Sequence, residues 1–181
     1  LGMYFLLFII GLEIDLGRIK KQGKFKYSGL NIRNLSAAKA LLKISRKGLN
    51  SPLIITPDSG ASYLLKGEPS SHSMKKQRGA YAKGKTTYRK ISSLEADFEP
   101  RARDLILIDD IVAGGSTMLK ATHLCKRRGA RKIVCACTHG QFLNGSDKKL
   151  KRAGATKLIT TDSIKSKHSK LSVLGLTRSM L

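Results

Sequence analysis

The sharpest hydrophobic block in the chain is Leu105-Ile106-Leu107-Ile108, with an aspartate on either side. Four apolar residues so bounded predict a short buried strand. Residues 109–117 then read as a turn. Residues 118–128 read as an amphipathic helix that stops at Gly129, a natural C′ residue. The next strand is predicted over 132–138. Strand, helix, strand in that order is a β-α-β crossover, which implies a parallel sheet.

The same pattern extends both ways. Upstream, 36–47 predicts a helix capped by Ser36, with Ala37, Ala38, Leu41, Leu42 and Ile44 on its apolar face. Residues 52–56 predict a buried strand that ends in the turn Pro57-Asp58-Ser59-Gly60, with a second helix starting near Ser59. Downstream, a helix over 148–152 leads through Gly154 to a strand over 157–161. Between these units, 67–90 is polar, Gly-containing and basic, with Lys75, Lys76, Arg78, Lys83, Lys85, Arg89 and Lys90. A long loop or mobile hairpin is expected there, and such segments inside compact domains are often functional. The fold class is therefore α/β, doubly wound, with a mainly parallel sheet. Residues 25–181 are expected to form one domain. Residues 1–24 are an N-terminal segment, read as the remnant of a preceding strand and loop.

The apolar start, Leu1 to Ile10, reads as a core strand. It is broken by Glu13, so it is short of the ~20 residues a membrane span needs, and no membrane partner is expected. It also lacks a basic lead-in and a cleavage site. The chain opens at Leu1 rather than Met, which reads as a fragment.

Composition changes this picture in two places. The 35 Lys and Arg against 12 Asp and Glu give a formal net charge of +23. Such a balance implies polyanionic partners. The lysines are scattered and not interleaved with aromatics, so no specific nucleic-acid partner is expected. A phosphorylated sugar and a nucleotide would use some of the charge. The three cysteines, Cys125, Cys135 and Cys137, show no spaced framework, which suits a reducing cytosol. Cys135, Cys137 and His139 alternate along one strand face. Side chains at i and i+2 start roughly 6.6 Å apart, whereas two thiolates on one zinc sit at most ~4.6 Å apart. Buried strand thiols are the expectation.

Candidate chemistry sits behind the 105–108 block. Asp109 and Asp110 end the strand, and Gly114-Gly115-Ser116-Thr117 opens the helix. A turn without bulky Cβ atoms lets backbone N–H groups converge on an anion. The helix start adds a partial positive charge. The two carboxylates can accept from vicinal sugar hydroxyls or hold Mg²⁺ through water. Phosphate at one end and hydroxyls at the other describe ribose 5-phosphate.

The run Ile108-Asp109-Asp110-Ile111-Val112-Ala113-Gly114-Gly115-Ser116-Thr117 resembles the signature of type I phosphoribosyltransferase folds. Gly114 stands where that signature usually has Thr, and Ser116 where it usually has its second Gly. Further runs resemble one branch, the ribose-phosphate pyrophosphokinases. They are Asn34-Leu35-Ser36-Ala37, Thr56-Pro57-Asp58-Ser59-Gly60, Lys76-Gln77-Arg78, Cys137-Thr138-His139-Gly140, Thr161-Asp162-Ser163-Ile164 and Ser169-Lys170-Leu171-Ser172-Val173, the last a closing strand. The resemblance implies diphosphoryl transfer from ATP to ribose 5-phosphate. It implies that Asp109, Asp110, Ala113, Gly114, Gly115, Ser116 and Thr117 hold the sugar phosphate. It assigns Asp58, Ser59 and Gly60 to the diphosphate, with Asp58 also on Mg²⁺, and Lys76 and Arg78 to the ATP phosphates as catalytic cations. His139 and Asp162 are read as structural. Members carry two such domains in tandem, and this chain resembles the C-terminal, sugar-phosphate half. Gly17 stands where the family has a catalytic-site His. The implied partners are ribose 5-phosphate and ATP, plus copies of the chain or a complete homologous subunit. Two alternatives remain open. One is a catalytically silent binding or regulatory subunit; the other is a phosphoribosyltransferase of nucleotide salvage, for which no base-binding hood is visible.

Overall fold

A computed structural model describes residues 24–27, 30–33, 36–78, 91–95 and 97–178. The expected core strand over 1–10, Gly17 and the basic residues of 79–90 lie outside them. The chain divides into two units, Leu1–Ser36 and Ala37–Leu181. The first contains an antiparallel hairpin of β1 (Lys24–Tyr27) and β2 (Leu30–Arg33).

The second unit is built on the 105–108 block. That block is the middle of β7 (Asp104–Val112), whose residues 104–108 are buried. β7 pairs in parallel with β3 (Leu53–Thr56) on one side and β8 (Lys132–Gly140) on the other. β9 (Lys157–Thr161) and β10 (Ser169–Leu171) extend the sheet beyond β8, and β4 (Ser71–Ser73) closes the β3 edge. All of these pairings are parallel. The order is β10-β9-β8-β7-β3-β4.

Alternation along β7 divides its side chains between two cores. Leu105 and Leu107 pack with Met118, Ala121 and Cys125 of α2 (Ser116–Arg127) and with Leu150 of α3 (Ser146–Arg152). Ile106 and Ile108 pack with Leu41 and Leu42 of α1 (Ala38–Ser45). Helices therefore cover both faces, and the fold is the doubly wound, parallel α/β arrangement that the pattern predicts. Burying each of these leucines contributes about 1.5–3 kcal/mol.

Several boundaries differ from expectation. β7 does not stop at Ile108; it runs on through both aspartates to Val112 because β8 runs alongside it as far as Gly140, pairing Asp109 with Cys137 and Val112 with Gly140. α2 starts at Ser116, two residues before its predicted start. α1 begins at Ala38, and its N-cap is Ala37, which makes no side-chain cap bond, rather than Ser36. The helix after Asp58 is a 3₁₀ helix, Ser59–Leu65. Of the loop or hairpin expected over 67–90, the described residues are partly strand: β4, and β5 (Lys75–Arg78), which pairs antiparallel with β6 (Ile91–Glu95) as the strands of a hairpin do. The closing strand ends at Leu171, and α4 (Val173–Arg178) follows.

At the start of β7, buried Asp104 accepts from Arg131 Nε and from the Asn50 amide, both at 2.7 Å. The Arg131 bond holds its carboxyl below the ordinary range. This tie lies at the far end of the strand from Asp109. Cys135 and Cys137 are buried strand thiols, as expected, Cys125 is a buried thiol of α2, and burial pushes Cys125, Cys135 and Cys137 up to about 12, 11 and 12. Among the described residues, no helix is long and apolar enough to cross a membrane.

Candidate functional site

In an open parallel sheet, ligands bind beyond the C-terminal ends of the strands. The acid pair Asp109-Asp110 lies in the C-terminal part of β7. Asp109 Oδ1 accepts from the Asp110 amide at 2.9 Å, and Asp110 Oδ1 accepts from the Ile111 amide at 2.8 Å. Burial, then the neighbouring Asp110 and more weakly Asp58, push the Asp109 carboxyl up to about 7. Tyr63, on the 3₁₀ helix, donates its hydroxyl to Asp110 Oδ2 at 3.1 Å. Burial and the same carboxylate raise the Tyr63 hydroxyl above its ordinary value, so it keeps its proton for that bond. No sequence signal singles out Tyr63, because its partner is 47 residues away.

The strand β3 delivers Asp58 to the same end of the sheet. Asp58 caps the 3₁₀ helix, its Oδ1 accepting from the Gly60 amide at 3.1 Å and, weakly, from Ser59 Oγ at 3.5 Å. Its charge is felt at Asp109.

The β7–α2 turn forms a pocket of about 200 Å³ lined by Asp109, Ile111, Val112, Ala113, Gly114, Gly115, Ser116, Thr117 and Met118. Of the residues expected to hold a sugar phosphate, only Asp110 is not in this lining. Gly115 is the N-cap of α2 and sits in the left-handed region at φ +75°, so it has no side chain to cap the helix. The first-turn amides of a helix have no intrahelical acceptors, and here they border the pocket. Gly114 needs no glycine: its φ is not positive, and a Cβ there would meet nothing within 4 Å. Gly114, where the resembled signature usually has Thr, therefore puts no demand on the loop backbone.

Residues 30–174 match the family described as "Phosphoribosyl transferase domain". The chain belongs to this family. Its curated relatives include proteins named ribose-phosphate pyrophosphokinase. That of Sulfurisphaera tokodaii is 26% identical over 164 residues, 87% of this chain and 54% of the relative. That of Methanosarcina acetivorans is 31% identical over 149 residues, 79% of this chain and 50% of the relative. The chain spans about half the length of these relatives. Among solved structures, the phosphoribosylpyrophosphate synthetase of Mycobacterium smegmatis is similar in fold. Its TM-score is 0.58 at 21% identity, over 80% of this chain and 49% of that one.

Within this phosphoribosyl transferase domain, the other predicted residues fall into two groups. His139 and Asp162 stand at the ends of β8 and β9. His139 Nδ1 lies 2.9 Å from Ser163 Oγ, and burial lowers its proton affinity, which favours the neutral ring. Asp162 Oδ1 accepts from the Val173 amide at 2.7 Å, at the start of α4. Lys76 and Arg78 lie on β5, opposite Leu94 and Ile91 of β6. Sequence reasoning missed the segment behind the turn. The Gln141 and Phe142 amides donate to the Val112 carbonyl, and the Leu143 amide and Ser146 Oγ donate to the Ala113 carbonyl.

Chemically, the site offers backbone donors for an anion and carboxylate acceptors for hydroxyls or a hard cation. Among the described residues, no three His, Cys, Asp or Glu side chains are grouped to hold a metal.

Proposed function

We propose that the pocket at the end of β7 binds ribose 5-phosphate, and that the chain is the C-terminal, sugar-phosphate half of a ribose-phosphate pyrophosphokinase. One observation carries the reading. Asp109 of β7 and the uncapped start of α2 line one pocket, and Asp110 follows Asp109 on the same strand. The amides of Gly114, Gly115, Ser116 and Thr117 would hold the 5-phosphate. Asp109 and Asp110 would accept from the ring hydroxyls.

In the reaction, the anomeric oxygen attacks the β-phosphorus of ATP. The bond from that phosphorus to the α,β-bridging oxygen breaks, AMP leaves, and the hydroxyl proton goes to solvent. Catalysis of this kind is positioning plus stabilisation of charge. Asp58, Ser59 and Gly60 would shape the diphosphate end, and Lys76 and Arg78 would meet the ATP phosphates. Oxygen donors fit Mg²⁺, and a cation would relieve the repulsion between Asp58 and Asp109. Mg²⁺ is usually held by one or two carboxylates plus substrate phosphates, so Asp58 needs no three-residue cluster. Bound there, Mg²⁺ would neutralise charge on the transferring diphosphate.

Copies of this chain, or a complete homologous subunit, are the proposed protein partners. Buried reduced thiols suit a cytoplasmic location. Gly17, where the resembled family has a catalytic-site His, favours one second reading, a subunit that binds sugar phosphate without catalysing transfer.

Calorimetry with Mg²⁺ tests the binding claim. Ribose 5-phosphate is expected to bind at least tenfold more tightly than ribose, and Asp109→Ala or Asp110→Ala to weaken it by about tenfold or more. Equal affinity for sugar and sugar phosphate would remove the phosphate assignment.

A further inference from the structure

Residues 141–147 form a strap behind the phosphate-binding turn. The Gln141 and Phe142 amides reach the Val112 carbonyl at 3.0 and 3.1 Å. The Leu143 amide reaches the Ala113 carbonyl at 3.0 Å, and Ser146 Oγ reaches the same oxygen at 3.2 Å. Ser146 is fully buried, and its Cβ lies where a Cβ on Gly115 would meet it at 2.9 Å.

The strap holds an unusual backbone. Phe142, Asn144 and Gly145 have φ of +50°, +54° and +68°. For a side chain as bulky as phenylalanine that region is an outlier, and such strain persists only where the surroundings over-determine it. They do so here. The Phe142 ring lies against Gly140, where a Cβ would come within 2.6 Å of the ring. Its neighbour is His168, edge-on at 5.3 Å between ring centroids. His168 Nε2 meets Asp147 Oδ2 at 3.2 Å, and Lys167 Nζ reaches that oxygen at 3.2 Å. Both ends of the strap are thus fixed independently of the turn.

A planar trans peptide ties each carbonyl to the next residue's N–H, which points the opposite way. Clamping the Ala113 carbonyl from behind therefore aims the Gly114 N–H away from the strap. Gly114 lines the pocket. We propose that the 141–147 strap positions the phosphate cradle, and that Ser146 is the positioning residue that aims the Gly114 amide at the phosphate. The inference rests on the phosphate-binding reading of this pocket.

The test compares the 181-residue chain with Ser146→Ala, which keeps the Cβ beneath Gly115 and removes the bond. Calorimetry is expected to show ribose 5-phosphate weakened about five- to tenfold and ribose unchanged. By linkage, a ligand held by the cradle must in turn steady the strap. In the unmodified chain, saturating ribose 5-phosphate is therefore expected to slow hydrogen exchange at the 141–143 amides several-fold, and ribose to leave it unchanged. This second measurement decides the matter even if Ser146→Ala fails to fold. If the unmodified chain prefers the sugar phosphate but the strap amides exchange at the same rate with and without it, the strap inference is overturned and the pocket reading stands. If the unmodified chain shows no preference, both fall.

Discussion

Asp109 carries a carboxyl group whose surroundings oppose its ionisation, through burial first and Asp110 second. The sign of the consequence is fixed by linkage. With the folded group raised from 3.8 to about 7, the folded chain binds more protons than the unfolded chain between those values. Stability therefore falls as pH rises through that window. Asp109→Asn removes the charge but keeps the acceptor for the Asp110 amide. Thermal melts at pH 8 are expected to show the variant more stable by about 1–2 kcal/mol, with the gain vanishing near pH 4. Sugar-phosphate affinity is expected to fall in the same variant, as it would if the residue served the ligand at the expense of the fold. Wild-type affinity is expected to rise between pH 6 and 8 more steeply than that of Asp109→Asn, because the ionised carboxylate is the stronger acceptor for hydroxyls. At this scale the acid pair was legible, since two aspartates directly follow an apolar run. Tyr63 and Ser146 were not, because their partners lie 47 and 33 residues away and leave no local pattern.

The turn between β7 and α2 shows which glycine the element requires. Gly115 has a positive φ, and a Cβ there would meet Ser146 Cβ at 2.9 Å. Gly114 has neither constraint. Gly115→Ala is therefore expected to cost about 1–3 kcal/mol in urea denaturation. Gly114→Ala is expected to be neutral or to stabilise by about 0.4–1 kcal/mol through the unfolded state. Equal losses at both positions would contradict this reading. The turn residues were legible from their type, but the boundaries were not. Aspartate is depleted in strands, so the pattern ends β7 at Ile108. The actual end is set by β8, which carries the ladder on to Gly140. Phe142 and Asn144 are likewise non-glycine residues at positive φ, and nothing in their type announces it.

Over the whole molecule, apolar runs named the parallel strands but not their neighbours. The order β10-β9-β8-β7-β3-β4 includes a polar edge strand, Ser71–Ser73, which no hydrophobic pattern marks. The order matters because it brings Asp58 from β3 and the acid pair from β7 to one end of the sheet. The chain's match to half the length of its relatives bears on turnover. Positioning lowers a barrier only when both reactants are held in register. With ATP, ribose 5-phosphate and Mg²⁺, the 181-residue chain alone is expected to release AMP near background. Turnover of about 1 s⁻¹ or more, lost in Asp110→Ala, would show that these residues suffice. The central claim is that the start of α2 reads a phosphate, and amide chemical shifts test it most directly. On titration with ribose 5-phosphate, the N–H signals of Gly114, Gly115, Ser116 and Thr117 are expected to move downfield together, and with ribose to stay in place. A saturating titration that leaves these four signals unmoved, with its largest shifts elsewhere in the chain, would contradict the account.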